Sequence, residues 1–400
     1  MKLKDSLNPE NQKISNFGYS GIFGEIEKFS KEHPNCLHLS NCDPPIFGYT
    51  LDESIKNQIN KLQISQYTGY PRWNGDEALR NALSQRIHRI CKVKIPSNKI
   101  ILTNGVSECF PLTFAALSHQ AIGSIAIPDP SYIPLIVQAG RFSKVWFYPC
   151  NEEDNWNPDL DHVVRSLEKY SETKAIVVIT PNSPTGVVYP EKILKELINI
   201  AGQYNLIIIS NEIYDSLSFG GFSSPLQFAN EVPIIYLNGF SKVYRIPGYR
   251  LGYLGLYDPL NKFPDLWDYL EQLSRVRFGV SSLAQEIAKL ALQEPEKTLK
   301  AYVESVYKKQ TFLTRLLEAV EGITVVPANG ATYVFPKINL DINDEKIVEH
   351  LIQKHEIIVT PGSAYGPTIA PGHLRFVSLA PEENLLKGVQ ALEKTLHDLG

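Results

Sequence analysis

A chain of 400 residues is longer than one ordinary hydrophobic core supports, so two domains, or one large and one small, are expected. Hydrophobic residues at 43% against 20% charged exclude a disordered chain, and a formal charge of −4 with no long basic run argues against nucleic acid as the main partner. No apolar run approaches the roughly 18 residues that span a bilayer, so no membrane partner is expected either.

The N-terminal stretch MKLKDSLNPENQKIS is polar and lacks the apolar core of a signal peptide. Residues 1–45 are expected to join or drape across the C-terminal part. From about residue 100, short β-rich runs alternate with helical patterns. KIILT (99–103), GSIAIPD (123–129), KVWFYP (144–149), KAIVVITP (174–181), NLIIISNE (205–212), PIIYLNG (233–239) and RLGYLGL (250–256) predict seven strands. Between them lie helical stretches such as SECFPLTFAALSHQ, DLDHVVRSLEKY and EKILKELINIAGQY. Apolar strands separated by helices imply an α/β domain over 46–280, a mainly parallel sheet between helix layers. A long helical pattern near 282–320, short strands and a final helix predict a smaller α+β domain over 281–400. Five scattered cysteines without a C-x-x-C pair suggest reduced thiols in a cytoplasmic protein. Nine dispersed histidines without H-E-x-x-H give no metal site.

In parallel sheets ligands sit beyond the carboxyl ends of the strands, so chemistry is sought just after each run. After the first comes Asn104-Gly105-Val106-Ser107-Glu108, leading into a helix: free N–H groups with a glycine and a hydroxyl suit a phosphate, and equally an ordinary turn and N-cap. After the second, Tyr132 could stack on a flat ring or merely fill space. Asn182-Ser183-Pro184-Thr185-Gly186 is a tight turn, and Asn211-Glu212-Ile213-Tyr214 follows the fifth run. The segment NGFSKVYRIPGYRLGYL places Lys242 and Arg250 among aromatic, glycine and aliphatic neighbours, and a buried cation needs a partner. In HLRFVSL, alternation puts Arg375 on the face of Val377 and Leu379; its fork suits a carboxylate, either of a ligand or of a structural Asp or Glu.

Taken in order, these motifs resemble the fold-type I pyridoxal-phosphate enzymes of aminotransferase class I/II, nearest the alanine-aminotransferase-like branch. The most specific parts are NGFSKVYRIPGYRLGY, P-N-S-P-T-G with N-E-I-Y about thirty residues later, and G-x-x-x-L-R at 75–80. The resemblance runs from about residue 17 to the C-terminus. It implies pyridoxal 5′-phosphate as cofactor, with Lys242 forming a Schiff base to its aldehyde and shuttling the Cα proton. It also implies Arg250, Ser241, Gly105, Val106 and Ser107 at the phosphate, Tyr132 stacked on the ring, and Tyr214 at the 3-hydroxyl. Arg375 would hold the substrate's α-carboxylate. Tyr70, or alternatively Tyr67, would reach a phosphate across a homodimer interface.

Three positions depart from that pattern. Ser183 stands where the family has asparagine, with Asn182 adjacent but pointing the other way, and Cys42 falls where it has a glycine near the substrate carboxylate. Asn211 replaces the aspartate that keeps the ring nitrogen protonated. If that loss resembles breaking a buried ion pair, its scale is roughly 3–5 kcal/mol, or about two to four powers of ten in rate. The implied function is transfer of an amino group between an α-amino acid and a 2-oxo acid. Elimination, racemisation, oxidation, biosynthetic cyclisation and a non-catalytic relative are the alternatives. Side-chain preference is expected from loops and the N-terminal FGYSGIFG, with Arg72 as a cation for an acidic side chain.

Overall fold

A computed structural model describes residues 22–119 and 123–400. All seven predicted strands form one sheet: β1 (Ile100–Thr103), β2 (Ser124–Asp129), β3 (Lys144–Asn151), β5 (Thr173–Ile179), β6 (Ile207–Asn211), β7 (Ile234–Gly239) and β8 (Gly252–Tyr257). The sheet has eight strands rather than seven, because β4 (Asn157–Pro158) pairs antiparallel with β3 at one edge. Two residues, one of them proline, leave no apolar run to reveal it. The order is β1-β8-β7-β6-β5-β2-β3-β4. Neighbours from β7 through β3 are parallel, while β8 runs antiparallel to both β7 and β1.

The strands read as continuous apolar runs because both faces are covered. Ile176, Val178 and Ile208 point into one core with helices Glu77–Cys91, Leu160–Lys169 and Glu191–Gln203. Val177, Ile179 and Ile209 point into the other, with helices Val106–His119, Ile133–Phe142 and Pro264–Val276. Each such Val or Ile contributes about 1.5–3 kcal/mol on burial, which fixes the register at the strand ends that matter below.

The helical pattern near 282–320 is two helices, Ser282–Ala291 and Glu296–Glu318, with Pro295 as the N-cap of the second. Proline has no N–H to continue the first helix's ladder. A further core joins Leu313, Val348, Leu351 and Leu392 to Cys36 and Leu39, so the start of the described chain packs with its end. Strand Leu37–His38 pairs in parallel with Ile357–Ile358, and Leu374–Val377 lies between Tyr333–Val334 and Thr360–Pro361. Among the described residues no helix is long and apolar enough to cross a membrane.

Candidate active site

The parallel strands deliver their carboxyl ends to one edge of the sheet, and the antiparallel β8 begins at that same edge. Val106 and Ser107 after β1, Tyr132 after β2, Ser183 after β5, Asn211 and Tyr214 at and after β6, Ser241 and Lys242 after β7, and Arg250 before β8 therefore surround one cavity. Its volume is about 300 Å³, and Cys42 and Arg375 close it from the C-terminal side of the molecule.

One corner is built from two glycines. Gly105 has φ +72°, and a Cβ there would lie 2.6 Å from Arg250 Nη2. A Cβ on Gly252 would lie 2.6 Å from the Val106 nitrogen. Bare backbone at both positions lets the Arg250 guanidinium sit against the start of helix Val106–His119, whose first N–H groups have no partner within the helix. A cation beside a helix N-terminus and the Ser107 hydroxyl can hold a phosphate dianion.

Three arginines outside the cavity are neutralised by carboxylates, whereas Arg80, also buried, donates only to the Gly75 and Ser97 carbonyls. Arg86 makes a two-pronged ion pair with Asp215 at 2.8 Å, Arg245 pairs with Glu294, and Arg277 with Glu108. Among the described residues, Lys242, Arg250 and Arg375 make no ion pair. Lys242 Nζ donates to the Cys42 carbonyl at 2.5 Å, and Arg250 Nη1 to the Pro247 carbonyl at 2.9 Å. Arg375 Nη2 donates to the Ser40 carbonyl at 2.6 Å and to Thr360 Oγ1 at 3.4 Å. Its guanidinium lies over the Tyr333 ring at 4.6 Å and the Tyr365 ring at 5.0 Å, and its Nε is buried without a partner. The structural ion pair weighed for Arg375 is absent among the described residues, and its fork is left for an anion that the described side chains do not supply.

The deep wall is polar and uncharged. Asn211 Oδ1 and Ser183 Oγ are buried without partners. Asn182 instead turns its carbonyl onto its own loop, accepting from Thr185 N at 3.2 Å and Thr185 Oγ1 at 3.0 Å. The carboxylates nearest in sequence are spent elsewhere. Glu212 Oε1 accepts from Ser210 Oγ at 2.6 Å and Ser224 Oγ at 2.8 Å, and burial pushes its pKa up to about 8. Asp215 is held by Arg86. Asn238 Nδ2 donates to the Glu212 carbonyl at 2.9 Å and to Asp215 at 2.8 Å, while its Oδ1 accepts from Gly239 N at 2.7 Å. It thereby ties the turn after β6 to the loop that carries Lys242.

Tyr214 and Tyr333 share a short hydroxyl–hydroxyl bond with their rings edge to face. Burial first, then the neighbouring Cys42 and Tyr333, push the Tyr214 phenol up. Cys42 Sγ lies 3.1 Å from Thr332 Oγ1 and 3.6 Å from Tyr214 Oη. Burial raises this thiol, but the Lys242 ammonium and the surrounding hydroxyls outweigh it, and the net direction is down.

Other expected residues lie apart. Tyr70 is 90% exposed, outside the cavity, with its ring 5.8 Å from Phe278. Tyr67 lines a separate groove with Arg72 and Lys289, and Arg72 reaches Glu77 at 3.3 Å rather than the cavity. Residues 17–21 of the aromatic N-terminal run fall outside the described residues. Sequence reasoning missed Ser40, Thr332, Tyr333 and Tyr365; the alternation in ATYVF was the one available signal, and it reads as ordinary core.

A family model described as aminotransferase class I and II matches residues 34–392. The chain is 29% identical over 407 residues to the glutamate-pyruvate aminotransferase AlaA of Haemophilus influenzae, covering 98% of this chain and 99% of that protein. It is 30% identical to a probable aspartate aminotransferase of Methanocaldococcus jannaschii, over 92% of this chain and 95% of that one. The solved structure of an alanine aminotransferase from Pyrococcus furiosus superposes with a TM-score of 0.88 at 30% identity, covering 100% of this chain and 99% of that chain.

Proposed function

The chain belongs to the class I and II aminotransferases, and from that premise we propose that its cavity takes pyridoxal 5′-phosphate at Lys242 and moves an amino group between an α-amino acid and a 2-oxo acid. One observation carries this reading: three cations without carboxylate partners face a single cavity at the carboxyl edge of the sheet. The residues present fit the cofactor. The Gly105–Arg250 corner suits its phosphate, the unpartnered Ser183 Oγ and Asn211 Oδ1 suit its ring substituents, and Tyr132 offers an aromatic face.

When bound, the cofactor supplies an aldehyde that takes up the amino group and a ring that spreads the charge left at Cα. Arg250, Ser107, Ser241 and the N–H groups at Val106 and Ser107 hold the phosphate. Arg375 grips the substrate's α-carboxylate through the part of its fork that Ser40 does not use. Lys242 Nζ would take the proton from Cα, hold it as an ammonium and deliver it to the carbon that was the cofactor's aldehyde; a primary amine is required because it must both attach and release. Tyr214, its proton retained by burial, donates a hydrogen bond. Asn211 would meet the ring nitrogen through its side-chain amide without adding a charge, so the acidity it would lend to Cα is less than a carboxylate partner would give.

The same reading includes a homodimer whose Tyr70 completes the neighbouring site, supported by the exposed Tyr70–Phe278 pair. It includes a cytoplasmic location, supported by five free thiols. The test mixes holoprotein with a panel of amino acids and follows loss of the cofactor's visible band together with release of the 2-oxo acid. The band is expected to fall with at least one donor, and Lys242→Ala to abolish this, at about a thousandfold or more. A band unchanged by every donor would overturn the proposal.

A further inference from the structure

Two of the three cations are held by one short strap. Arg375 Nη2 takes the Ser40 carbonyl and Lys242 Nζ takes the Cys42 carbonyl, so residues 40–42 run from the group that grips a carboxylate to the group that reacts at Cα. A bound α-amino acid must lie alongside this strap, since its carboxylate and its Cα meet the same two side chains. All three strap residues line the cavity; Asn41 is the most exposed, whereas the Cys42 sulfur is wedged between Thr332 Oγ1 and Tyr214 Oη.

We propose that Cys42 limits the side chain of the amino acid this site accepts, so that the site takes donors with short, non-cationic side chains; this rests on the aminotransferase reading above. A cavity of about 300 Å³ has to hold cofactor and substrate together, which is the lower end of the size of ligand pockets. A thiol beside Cα takes up volume that a glycine would leave open, and a close-packed wall charges for each added methylene. Among the described residues no acidic side chain lines the cavity, so an ammonium on a donor side chain would be desolvated without a partner.

The test uses holoenzyme with L-alanine, L-2-aminobutyrate, L-norvaline and L-lysine. It also uses the α-methyl analogues of alanine and norvaline, which have no Cα proton to lose and report binding alone through the visible spectrum. Wild type is expected to favour alanine over norvaline by about 100-fold in kcat/KM, and to show the same order in analogue binding. Cys42→Gly should narrow both ratios at least tenfold, and Cys42→Ala and Cys42→Ser, which both remove the bulk of the sulfur, should narrow them by an intermediate amount. Equal handling of norvaline or lysine by wild type, or ratios unchanged in Cys42→Gly and Cys42→Ala, would overturn the proposal while leaving the aminotransferase reading intact. Absence of any spectral response to any donor would overturn both.

Discussion

Arg250 owes its position to an absence, the missing Cβ of Gly105. Alanine at 105 would put a methyl 2.6 Å from the guanidinium nitrogen and hold a left-handed φ of +72° that side chains resist. Gly105→Ala is therefore expected to weaken cofactor binding about ten- to a hundredfold, through loss of a charge-assisted contact of roughly 1.5–3 kcal/mol, as read by absorbance titration of apoprotein. An unchanged dissociation constant would mean the phosphate sits elsewhere. At this scale the sequence speaks through incongruity. Lys242, Arg250 and Arg375 stand out because cations among apolar neighbours demand a reason. Tyr333 does not, since a buried tyrosine between valine and threonine looks like any core residue until Arg375 is found over its ring.

Strands were legible for the same reason that β4 was not: a run buried on both faces must be apolar along its length, whereas a two-residue edge pairing need not be. The helix break at Pro295 was written in the sequence, but apolar periodicity continues on either side and masks it. The end of β6 also carries a measurable consequence. Glu212 ionises near pH 8 in the fold and near its ordinary 4.5 when unfolded, so between those values the folded chain holds the extra proton. Stability tied to this group is full below pH 4.5 and is lost as the pH rises to 8, with a ceiling of a few kcal/mol at about 1.4 kcal/mol per unit. Glu212→Gln keeps an acceptor for Ser210 and Ser224 and removes the titration. Calorimetry should find the variant melting a few degrees above the parent at pH 8, with the two converging at pH 5. Parallel curves across that range would show that Glu212 stays ionised.

The whole molecule presents an apolar patch that a lone protomer leaves in water: Tyr70, Val276 and Phe278 are 90%, 74% and 66% exposed. Phe278→Asp should raise the dissociation constant of the proposed dimer at least about thirtyfold, the scale of a hot-spot loss, seen as a shift to monomer in sedimentation. A monomeric wild type would sink the shared-site proposal. The division at residues 45 and 280 also stands as our proposal. Cys36 and Leu39 pack with the C-terminal helices in its favour, while helix Ser282–Ala291 adds Ile287 and Ala288 to the core of the large sheet. The contacts of Arg375 with Ser40, 335 positions away, and of Lys242 with Cys42, 200 positions away, impose an order on biosynthesis. A nascent chain that has emerged through β8 already carries Lys242, Arg250 and the glycine corner, yet Arg375 cannot grip Ser40 until strand Leu374–Val377 has followed it out. The corner proposed for the phosphate can thus form before the grip proposed for the carboxylate.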